Sequence, residues 1–375
     1  MSLLTRFTNG RVFTGEHFVE ADVWVEADRI ISLGTRPESA LQVKPIDLQG
    51  DSLVPAFIDL QIYGGNGELF GEHPSIASLR KTVEYSVAGG ATFIQPTVAT
   101  NTNEIVFSAI DAIREYWKAG GKGVAGLHLE GPFLNPLRRG AHAVDCIQTP
   151  DPANIRTILE YGKGVVTMMT IAPELFSEEA LQVIQEYNLK LSIGHSNATY
   201  AQANQAFSSG IPTCTHLFNA MSPLHHREPG LPGAILDHAT ACSSIVPDGF
   251  HVDWPMVRLA SKLMQERLFI ITDAVTANPT GNYPHVLKED RYVLPDGTLS
   301  GSALTMLSSV RNCIHKAGIA EHLVLQMASL IPARVMGWDH ERGRIRKDYR
   351  AELLRLDHNW ELKGIYSNGE WQELI

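Results

Sequence analysis

The sequence predicts an α/β protein, a (β/α)8 TIM-type barrel joined to a small β-sandwich that is built from both chain termini. Eight short apolar runs recur through the centre of the chain, and continuous apolar runs are typical of parallel strands buried on both faces. Longer stretches of helical periodicity separate these runs, as in repeated βα units. Both ends of the chain instead alternate apolar and polar residues, which is typical of half-exposed strands. We therefore expect residues 1–52 and 344–375 to form the sandwich and residues 53–343 to form the barrel.

The individual elements follow from the same patterns. The predicted barrel strands occupy residues 52–61, 91–98, 123–131, 164–174, 189–197, 212–220, 242–250 and 267–275. Helical periodicity is clearest at residues 75–90, 105–121 and 177–188. Near the C-terminus, Asn368 and Gly369 form a two-residue hairpin signal. The alternative, an open doubly wound sheet, needs a GxGxxG phosphate loop, and the glycine-rich segment 63–67 does not fit that pattern.

The composition excludes several classes of protein. The 375 residues carry 31 basic and 41 acidic side chains, a net charge of −10, which argues against a general nucleic-acid or anionic-membrane surface. No apolar run approaches the roughly 18–20 residues of a membrane span, and the N-terminus lacks the apolar segment of a signal peptide. Four well-separated cysteines, Cys146, Cys214, Cys242 and Cys313, form no CxxC pair. They predict reduced thiols in a cytoplasmic protein.

Reactive side chains stand where the predicted strands end. These residues are Asp59, Gln61, His128, Glu130, His195, His216, Asp248, His251 and Asp273. Barrel enzymes build their active sites at the C-terminal ends of the strands. Burying an unpaired polar group costs about 1–3 kcal/mol, so packing alone does not explain this distribution.

Glu130, His195 and His216 form a candidate metal site. One carboxylate and two imidazoles make a catalytic zinc set that leaves positions for water. We expect one divalent ion per subunit, zinc first, with iron, cobalt or manganese as alternatives. Asp273, opposite the ion, would take a proton from water and pass it to a leaving amine. The alternatives are hydrogen-bonded core histidines and an aspartate that caps a turn.

Five segments carry a resemblance to a known family. GLHLEGPFLNPLRRGAH, SIGHSNATY, CTHLFNAM, VPDGFHVD and ITDAV closely resemble segments of the N-acetylglucosamine-6-phosphate deacetylases of the amidohydrolase superfamily, and the resemblance covers nearly the whole chain. It implies a (β/α)8 barrel, a metal-activated water and removal of acetate from a sugar amide. It also implies that Glu130, His195 and His216 bind the metal, that Asp273 is the catalytic acid and base, and that His142 polarises the acetyl carbonyl.

The resemblance further implies a set of substrate contacts: Ala141, His142, Asn219, Ala220, Arg227, His251, Met306, Leu307 and Ser308. Within this set, Arg227 and His251 match sugar-phosphate contacts, and the last three residues match a segment lining the acetyl pocket. Arg227 reaches across a dimer interface in this family, so a homodimer is expected, with Arg227 entering the neighbouring active site.

One departure concerns the number of metal ions. Many amidohydrolases end strand 1 with His-x-His, part of a second metal site, whereas this chain reads Gln61-Ile62-Tyr63. Strand 4 offers no lysine for a bridging carbamate. Both absences argue for a single ion.

Several other strand-end and loop residues have two interpretations. Arg138 and Arg139, and likewise Arg227, fit a phosphate site because arginine suits that anion, but they also fit solvated loops or intersubunit salt bridges. Asp248 fits a turn as well as a substrate contact. His128 is expected to orient a ligand rather than to bind metal, and Asp59 to support the strand end.

The resulting hypothesis is hydrolysis of N-acetylglucosamine 6-phosphate to glucosamine 6-phosphate and acetate. The nearest alternative is the same reaction on N-acetylgalactosamine 6-phosphate, which differs at one hydroxyl. Another amidase, cyclic amidase or deaminase of the superfamily is a more distant alternative, and the missing His-x-His and lysine disfavour its two-metal forms. A non-catalytic scaffold is a different class, from which loss of ligands would be expected.

Overall fold

The computed structural model describes residues 4–38, 42–278 and 281–374, so residues 1–3, 39–41 and 375 of the predicted sandwich lie outside it. The N-terminal strands are β1 (Leu4–Thr8), β2 (Arg11–Phe13), β3 (Phe18–Glu20), β4 (Val23–Glu26), β5 (Arg29–Leu33), β6 (Val43–Asp47) and β7 (Ser52–Pro55). Strands near the C-terminus complete one of their sheets.

The centre of the chain alternates strands and helices. Its elements are β8 (Phe57–Ile62), β9 (Gly64–Gly65), β10 (Glu68–Leu69), α1 (Ile76–Ala88), β11 (Ala91–Ala99), α2 (Asn103–Lys118), β12 (Leu127–Glu130), α3 (Pro152–Tyr161), β13 (Val166–Ile171), α4 (Glu178–Gln185), β14 (Lys190–Ile193), α5 (Tyr200–Ser208), β15 (Thr213–Cys214), α6 (Gly230–Asp237), β16 (Cys242–Ile245), α7 (Trp254–Met264) and β17 (Leu268–Ile270). Eight of these strands form one parallel sheet in the order β17-β16-β15-β14-β13-β12-β11-β8. The predicted barrel strands and the three predicted helices are confirmed.

The remaining elements follow strand β17. They are β18 (Val286–Lys288), β19 (Arg291–Val293), β20 (Leu299–Ser302), α8 (Met306–His315), α9 (Glu321–Ala328), α10 (Leu330–Met336), β21 (Leu353–Leu356), β22 (Leu362–Ser367) and β23 (Glu370–Glu373). Strands β18 to β20 form a small separate sheet that the sequence patterns did not predict. No helix among the described residues is both long and apolar enough to cross a membrane.

Local sequence explains the helices of the barrel. Ser75 begins α1 with a capping box, because its side chain accepts from the backbone of Ser78 while Ser78 bonds back. In α2 the buried residues Val106, Ile110 and Ile113 recur every three or four positions, so one face of the helix packs against the sheet.

The barrel closes between its first and last strands. The Asp273 N–H donates to Gln61 O at 3.0 Å, and the Tyr63 N–H donates to Ala274 O at 2.9 Å. These bonds join the ends of β8 and the segment after β17, so the eight strands enclose a barrel whose C-terminal rim carries the reactive side chains predicted above.

Both termini build two further sheets, in the orders β5-β4-β1-β6 and β23-β22-β21-β7-β2-β3. A separate apolar core lies between them and includes Phe7, Val25, Leu53 and Tyr366. The predicted hairpin is confirmed, since Asn368 and Gly369 connect β22 to β23 with positive φ angles of 54° and 89°.

Two predicted strands need correction in their bounds. Residues 52–61 form two strands, because β7 belongs to a terminal sheet and only β8 enters the barrel. The predicted division at residues 52/53 falls within β7, and the division into domains stays a prediction. Residues 212–220 keep only the short β15, because His216, Phe218 and Ala220 adopt positive φ angles that end the extended backbone.

Candidate active site

The C-terminal rim of the barrel gathers four of the predicted residues. Glu130 ends β12, His195 and His216 each follow a strand by two residues, and Asp273 lies three residues after β17. His195, His216 and Asp273 have φ angles of 47°, 37° and 54°, in the left-handed region that costs energy for residues with a Cβ. The surrounding fold holds this strained backbone, which turns three side chains toward the barrel axis.

Glu130, His195 and His216 converge on one point. His216 Nε2 lies 3.0 Å from Glu130 Oε1 and 3.1 Å from His195 Nε2, and His195 Nε2 lies 3.4 Å from Glu130 Oε1. All three side chains are buried. Two ligands of one tetrahedral zinc ion, each about 2.0–2.1 Å from it, stand roughly 3.3 Å apart. The separations of the three donor atoms therefore fit one ion.

The hydrogen bonds of His195 support that fit. Its Nδ1–H donates to Arg138 O at 2.8 Å, so the lone pair of the ring lies on Nε2, the atom that faces the cluster. A backbone carbonyl in this role is typical of histidines that bind metal. The donor set of one carboxylate and two imidazoles suits a divalent transition ion.

The electrostatics of the cluster also favour a cation. Burial by itself raises the pKa of Glu130, but the imidazoles of His195 and His142 outweigh it and hold that pKa well below its usual range. Burial lowers the pKa of His195 to about 4, and His142 adds to this effect. Burial also opposes charge on His216, yet its contact with Glu130 raises its pKa. The cluster thus holds an ionised carboxylate against imidazoles, an environment that stabilises one positive centre.

Asp273 lies beside this cluster with one oxygen held. Gln61 Nε2 donates to Asp273 Oδ1 at 2.8 Å, and Asp273 Oδ2 lies 3.7 Å from His251 Nε2. Burial raises the pKa of Asp273, while His216 and His251 oppose that rise. The other oxygen, Oδ2, is not bonded to Gln61 and is the one available to a molecule in the cavity that Asp273 lines.

His142 reaches the same cluster from the loop after β12. Its Nδ1 accepts a hydrogen bond from the Thr100 N–H at 3.2 Å, and its Nε2 lies 3.1 Å from Glu130 Oε2. Because Nδ1 is an acceptor, the proton of the neutral ring is on Nε2. His142 therefore presents an N–H donor to the cavity.

His128 and Asp59 lie below the cluster and serve the fold. His128 donates from Nδ1 to Leu60 O at 3.1 Å and contacts Thr170 Oγ1 at 2.8 Å, and burial lowers its pKa to about 4. Neither ring nitrogen of His128 bonds to Glu130. The expected contact that would orient this candidate metal ligand is therefore absent among the described hydrogen bonds. Asp59 accepts from Thr272 N and Oγ1, which ties the first strand to the last.

Asp248 has the turn role of its two interpretations and also bonds to His251, while a substrate contact stays a prediction. Its Oδ1 accepts the N–H groups of Phe250 and His251, as in a turn, and its Oδ2 lies 2.6 Å from His251 Nδ1. Asp248 thereby directs His251 Nε2 toward the cavity.

One cavity of about 250 Å³ contains the cluster. Ala141, His142, Asn219, Ala220 and His251 line it together with Asp273 and the three candidate ligands. The expected acetyl-pocket residues Met306, Leu307 and Ser308 are not among the residues lining this cavity, and their contact with the acetyl group stays a prediction. They begin α8, where the Leu307 N–H donates to Gly89 O. The segment just before α8, including Leu299, Ser300 and Gly301, lines the cavity in their place.

The basic residues lie in loops around the cavity. Arg138 Nε donates to Asn197 Oδ1, and Arg139 donates to His142 O, so both have a local structural role. Arg227 is exposed and does not line the cavity of its own chain.

Several residues in or next to the cavity have no strong signal in the sequence. Tyr63 bonds to Glu130, the Thr100 N–H donates to His142, and the Tyr283 hydroxyl donates to Thr100 O. The sequence draws attention to Tyr63 only because it stands where many amidohydrolases have a histidine. Alternation would have placed Tyr63 on the same face as Gln61, two residues earlier. Tyr283 and His285 follow strand 8 in a segment without periodicity.

The comparisons with known proteins agree with this geometry. Residues 52–372 match the model of the Amidohydrolase family. The N-acetylglucosamine-6-phosphate deacetylase of Haemophilus influenzae is 34% identical over 351 residues, covering 90% of this chain and 91% of that protein. The N-acetylgalactosamine-6-phosphate deacetylase of Escherichia coli O157:H7 is 29% identical, covering 96% of this chain and 98% of its own length.

A solved structure shows the same fold. The crystal structure of N-acetylglucosamine-6-phosphate deacetylase from Pasteurella multocida superposes with a TM-score of 0.93 at 32% identity, covering 99% of this chain and 100% of that one. The barrel and its rim define a hydrolase, and the chain belongs to the amidohydrolase family. Its resemblance to the N-acetylglucosamine-6-phosphate deacetylases, first based on five motifs, is confirmed by these relatives.

Proposed function

We propose that this amidohydrolase removes the acetyl group of N-acetyl-D-glucosamine 6-phosphate, giving D-glucosamine 6-phosphate and acetate in amino-sugar catabolism. The observation that carries the proposal is the convergence of Glu130, His195, His216 and Asp273 in one buried cavity. The names of the relatives in Haemophilus influenzae and Pasteurella multocida supply the substrate.

One divalent ion would be held by Glu130 Oε1, His195 Nε2 and His216 Nε2, with zinc preferred and iron, cobalt or manganese as alternatives. When bound, such an ion makes water available as a nucleophile near neutral pH and polarises a carbonyl. A single ion is supported by Gln61 Nε2, which stands 3.0 Å from Glu130 Oε1 and 2.8 Å from Asp273 Oδ1 and donates to both.

Asp273 would move the proton. Gln61 occupies its Oδ1, so Oδ2 accepts the proton of the attacking water and then gives it to the sugar nitrogen. An amide nitrogen leaves only when it is protonated, and general acid–base help of this kind is typically worth about 10²–10⁴-fold in rate.

His142 would donate from Nε2 to the acetyl oxygen. The Thr100 N–H fixes the ring so that Nε2 carries the proton, and a donor already in place lowers the energy of the developing oxyanion. Asn219, Ala220 and Ala141 line the same cavity and would contact the sugar. The segment Met306–Ser308 is still proposed to line the acetyl pocket, next to residues 299–301, which line the cavity.

We further propose a homodimer in which the partner subunit's Arg227 binds the sugar phosphate beside His251. The exposure of Arg227 outside its own cavity supports this arrangement. Arg227→Ala should lower kcat/KM for the phosphorylated sugar by about 10- to 100-fold, the worth of one charge-assisted hydrogen bond, and affect the free sugar much less. Arg334→Ala, which removes a surface ion pair with Glu266, is the control.

Mixed dimers test whether Arg227 acts across the interface. In a heterodimer of Arg227→Ala and Asp273→Asn chains, one cavity would contain an intact Asp273 and a partner's Arg227. Coexpression should therefore restore activity that neither variant has alone. Equal losses on both sugars, or no recovery in mixed dimers, would contradict the proposal.

The alternative substrate is N-acetylgalactosamine 6-phosphate, favoured by the 29% identity to the relative from Escherichia coli O157:H7. The test is acetate release from both phosphorylated epimers and from free N-acetylglucosamine, on protein of measured metal content. Preference for the gluco epimer supports the proposal. Preference for the galacto epimer favours the alternative, and no acetate from metal-loaded protein would direct attention to other amides.

A cytoplasmic location is also proposed. It is supported by the four free cysteines, of which Cys214 and Cys313 are buried, because such thiols persist in a reducing compartment.

A further inference from the structure

Glu130 is held differently at its two oxygens. Oε1 faces the imidazoles, 3.0 Å from His216 Nε2 and 3.4 Å from His195 Nε2. Oε2 faces away from them, where it accepts a hydrogen bond from the Tyr63 hydroxyl and lies 3.1 Å from His142 Nε2. We propose that Tyr63 is a positioning residue: it holds Glu130 by Oε2, keeps Oε1 turned toward the metal site, and frees His142 to serve the substrate.

The need for a second donor follows from the role of His142, and to that extent this inference rests on the proposed function. The single proton of His142 faces Glu130 Oε2. When that proton is donated to an acetyl oxygen, Oε2 loses one of its two donors. A buried carboxylate oxygen without a donor is unfavourable. The Tyr63 hydroxyl keeps its hydrogen bond to Oε2 while His142 turns its proton to the substrate. The Glu130 side chain therefore stays in position when it loses the contact with His142.

Gln61 lies at the centre of these contacts. Its side-chain Nε2 lies 2.9 Å from the Tyr63 oxygen, 3.0 Å from Glu130 Oε1 and 2.8 Å from Asp273 Oδ1, so its two N–H protons are shared among three acceptors. Because an ionised carboxylate only accepts, the Tyr63 hydroxyl donates its proton to Glu130 Oε2. Gln61 is only 1% exposed, so one buried amide stands against the tyrosine and both carboxylates.

The backbone of Tyr63 is also anchored. Tyr63 directly follows strand β8, and its N–H donates to Ala274 O at 2.9 Å, next to the candidate base Asp273. The phenol is thus fixed at the seam between the first and last strands. Its ring also borders the cavity, but its hydroxyl is bonded to Glu130 Oε2, and we assign its effect to Glu130, in the way that outer contacts orient metal ligands.

Tyr63→Phe removes the hydroxyl and keeps the ring. Loss of an outer contact to a metal ligand typically costs about 10- to 100-fold in metal affinity or activity. We expect the Kd for Zn²⁺, measured on the metal-free protein by competition with a chromophoric chelator, to rise by a factor in that range. With saturating Zn²⁺, kcat for acetate release should fall while KM stays nearly constant. Tyr116→Phe is the matched control, because Tyr116 donates to Lys122 O outside the site.

The outcomes separate this inference from the proposed function. A Tyr63→Phe protein with the melting temperature, Zn²⁺ affinity and kcat of Tyr116→Phe would overturn the role of Tyr63. Lower Zn²⁺ affinity with an unchanged melting temperature supports it, since a merely structural tyrosine would not change metal binding alone. If zinc-loaded wild-type protein releases no acetate, the proposed function fails, whereas the chelator measurement still decides whether Tyr63 holds Glu130.

Discussion

Two neighbouring layers of polar side chains inside the barrel contain similar residue types but are arranged differently. The lower layer consists of Asp59, His128, Thr170 and Thr272, and the upper layer consists of Glu130, His195, His216 and Asp273. In the lower layer each polar group faces a complementary partner: His128 bonds to Leu60 O and Thr170 Oγ1, and Asp59 accepts from Thr272. In the upper layer the donor atoms of three residues face one another within 3.4 Å.

The difference distinguishes residues that stabilise the fold from residues that can bind a ligand. A buried polar group whose hydrogen bonds are all made inside the protein stabilises the strands that carry it. Three electron-pair donors that face one point suit a cation between them, which makes the upper layer a candidate metal site. A histidine at the end of a barrel strand is therefore not informative by itself, and the direction of its second nitrogen decides its role.

The largest expected effect is the loss of a donor from the upper layer. His195→Ala should lose metal and acetate release together, because two remaining ligands hold a divalent ion weakly. Metal content by mass spectrometry and turnover by acetate release measure both. His322→Ala, an exposed histidine on α9, is the control. Full metal occupancy in the His195→Ala protein would show that His195 is not a metal ligand. The upper layer would then not differ from the lower layer as a binding site.

Asp273→Asn should affect the chemistry and leave the ion in place. The asparagine keeps the shape and an oxygen for Gln61 but cannot carry a proton, so kcat should fall by about 10²–10⁴-fold at unchanged metal content. Asp111→Asn, on the exposed face of α2, controls for the loss of a surface charge. Near-normal turnover would exclude Asp273 from proton transfer.

The smallest effect on activity is expected in the lower layer. Thr170→Val leaves His128 Nε2 without the hydroxyl now 2.8 Å away, which should lower the free energy of unfolding by about 1–3 kcal/mol. Metal content and kcat should stay close to the wild-type values. Chemical denaturation and acetate release test the two parts. A loss of metal in this variant would show that the two layers are not independent.

Strand ends are the part of the site that the sequence predicts well. The apolar runs place β12, β14, β15 and β17 in one parallel sheet, and parallel strands bring their C-terminal ends to one rim. The residues after those runs must then meet, which is why Glu130, His195, His216 and Asp273 were found together. The sequence does not predict the positive φ angles of His195, His216 and Asp273, because they depend on the assembled barrel.

Loop residues follow no such rule. Strands β18 to β20 intervene between strand 8 and α8, and their lengths set which residues reach the cavity. Residues 299–301 line it, whereas the acetyl-pocket role of Met306–Ser308 stays a prediction. Periodicity does not encode those strand lengths. Tyr63 lay within reach of prediction, since it shares a strand face with Gln61, but only the structure shows that its hydroxyl faces Glu130.

The hydrogen bond that joins Gln61 to Asp273 spans 212 residues of sequence. A chain leaving the ribosome cannot form it until the last barrel strand has emerged, and contacts of such long range are slow to form. Until then Gln61 has only one of its two carboxylate acceptors, Glu130 on β12. The hydrogen-bonded site is therefore complete only when the barrel closes, and a chain truncated before residue 273 would lack the candidate base and the bonds that join the first strand to the last.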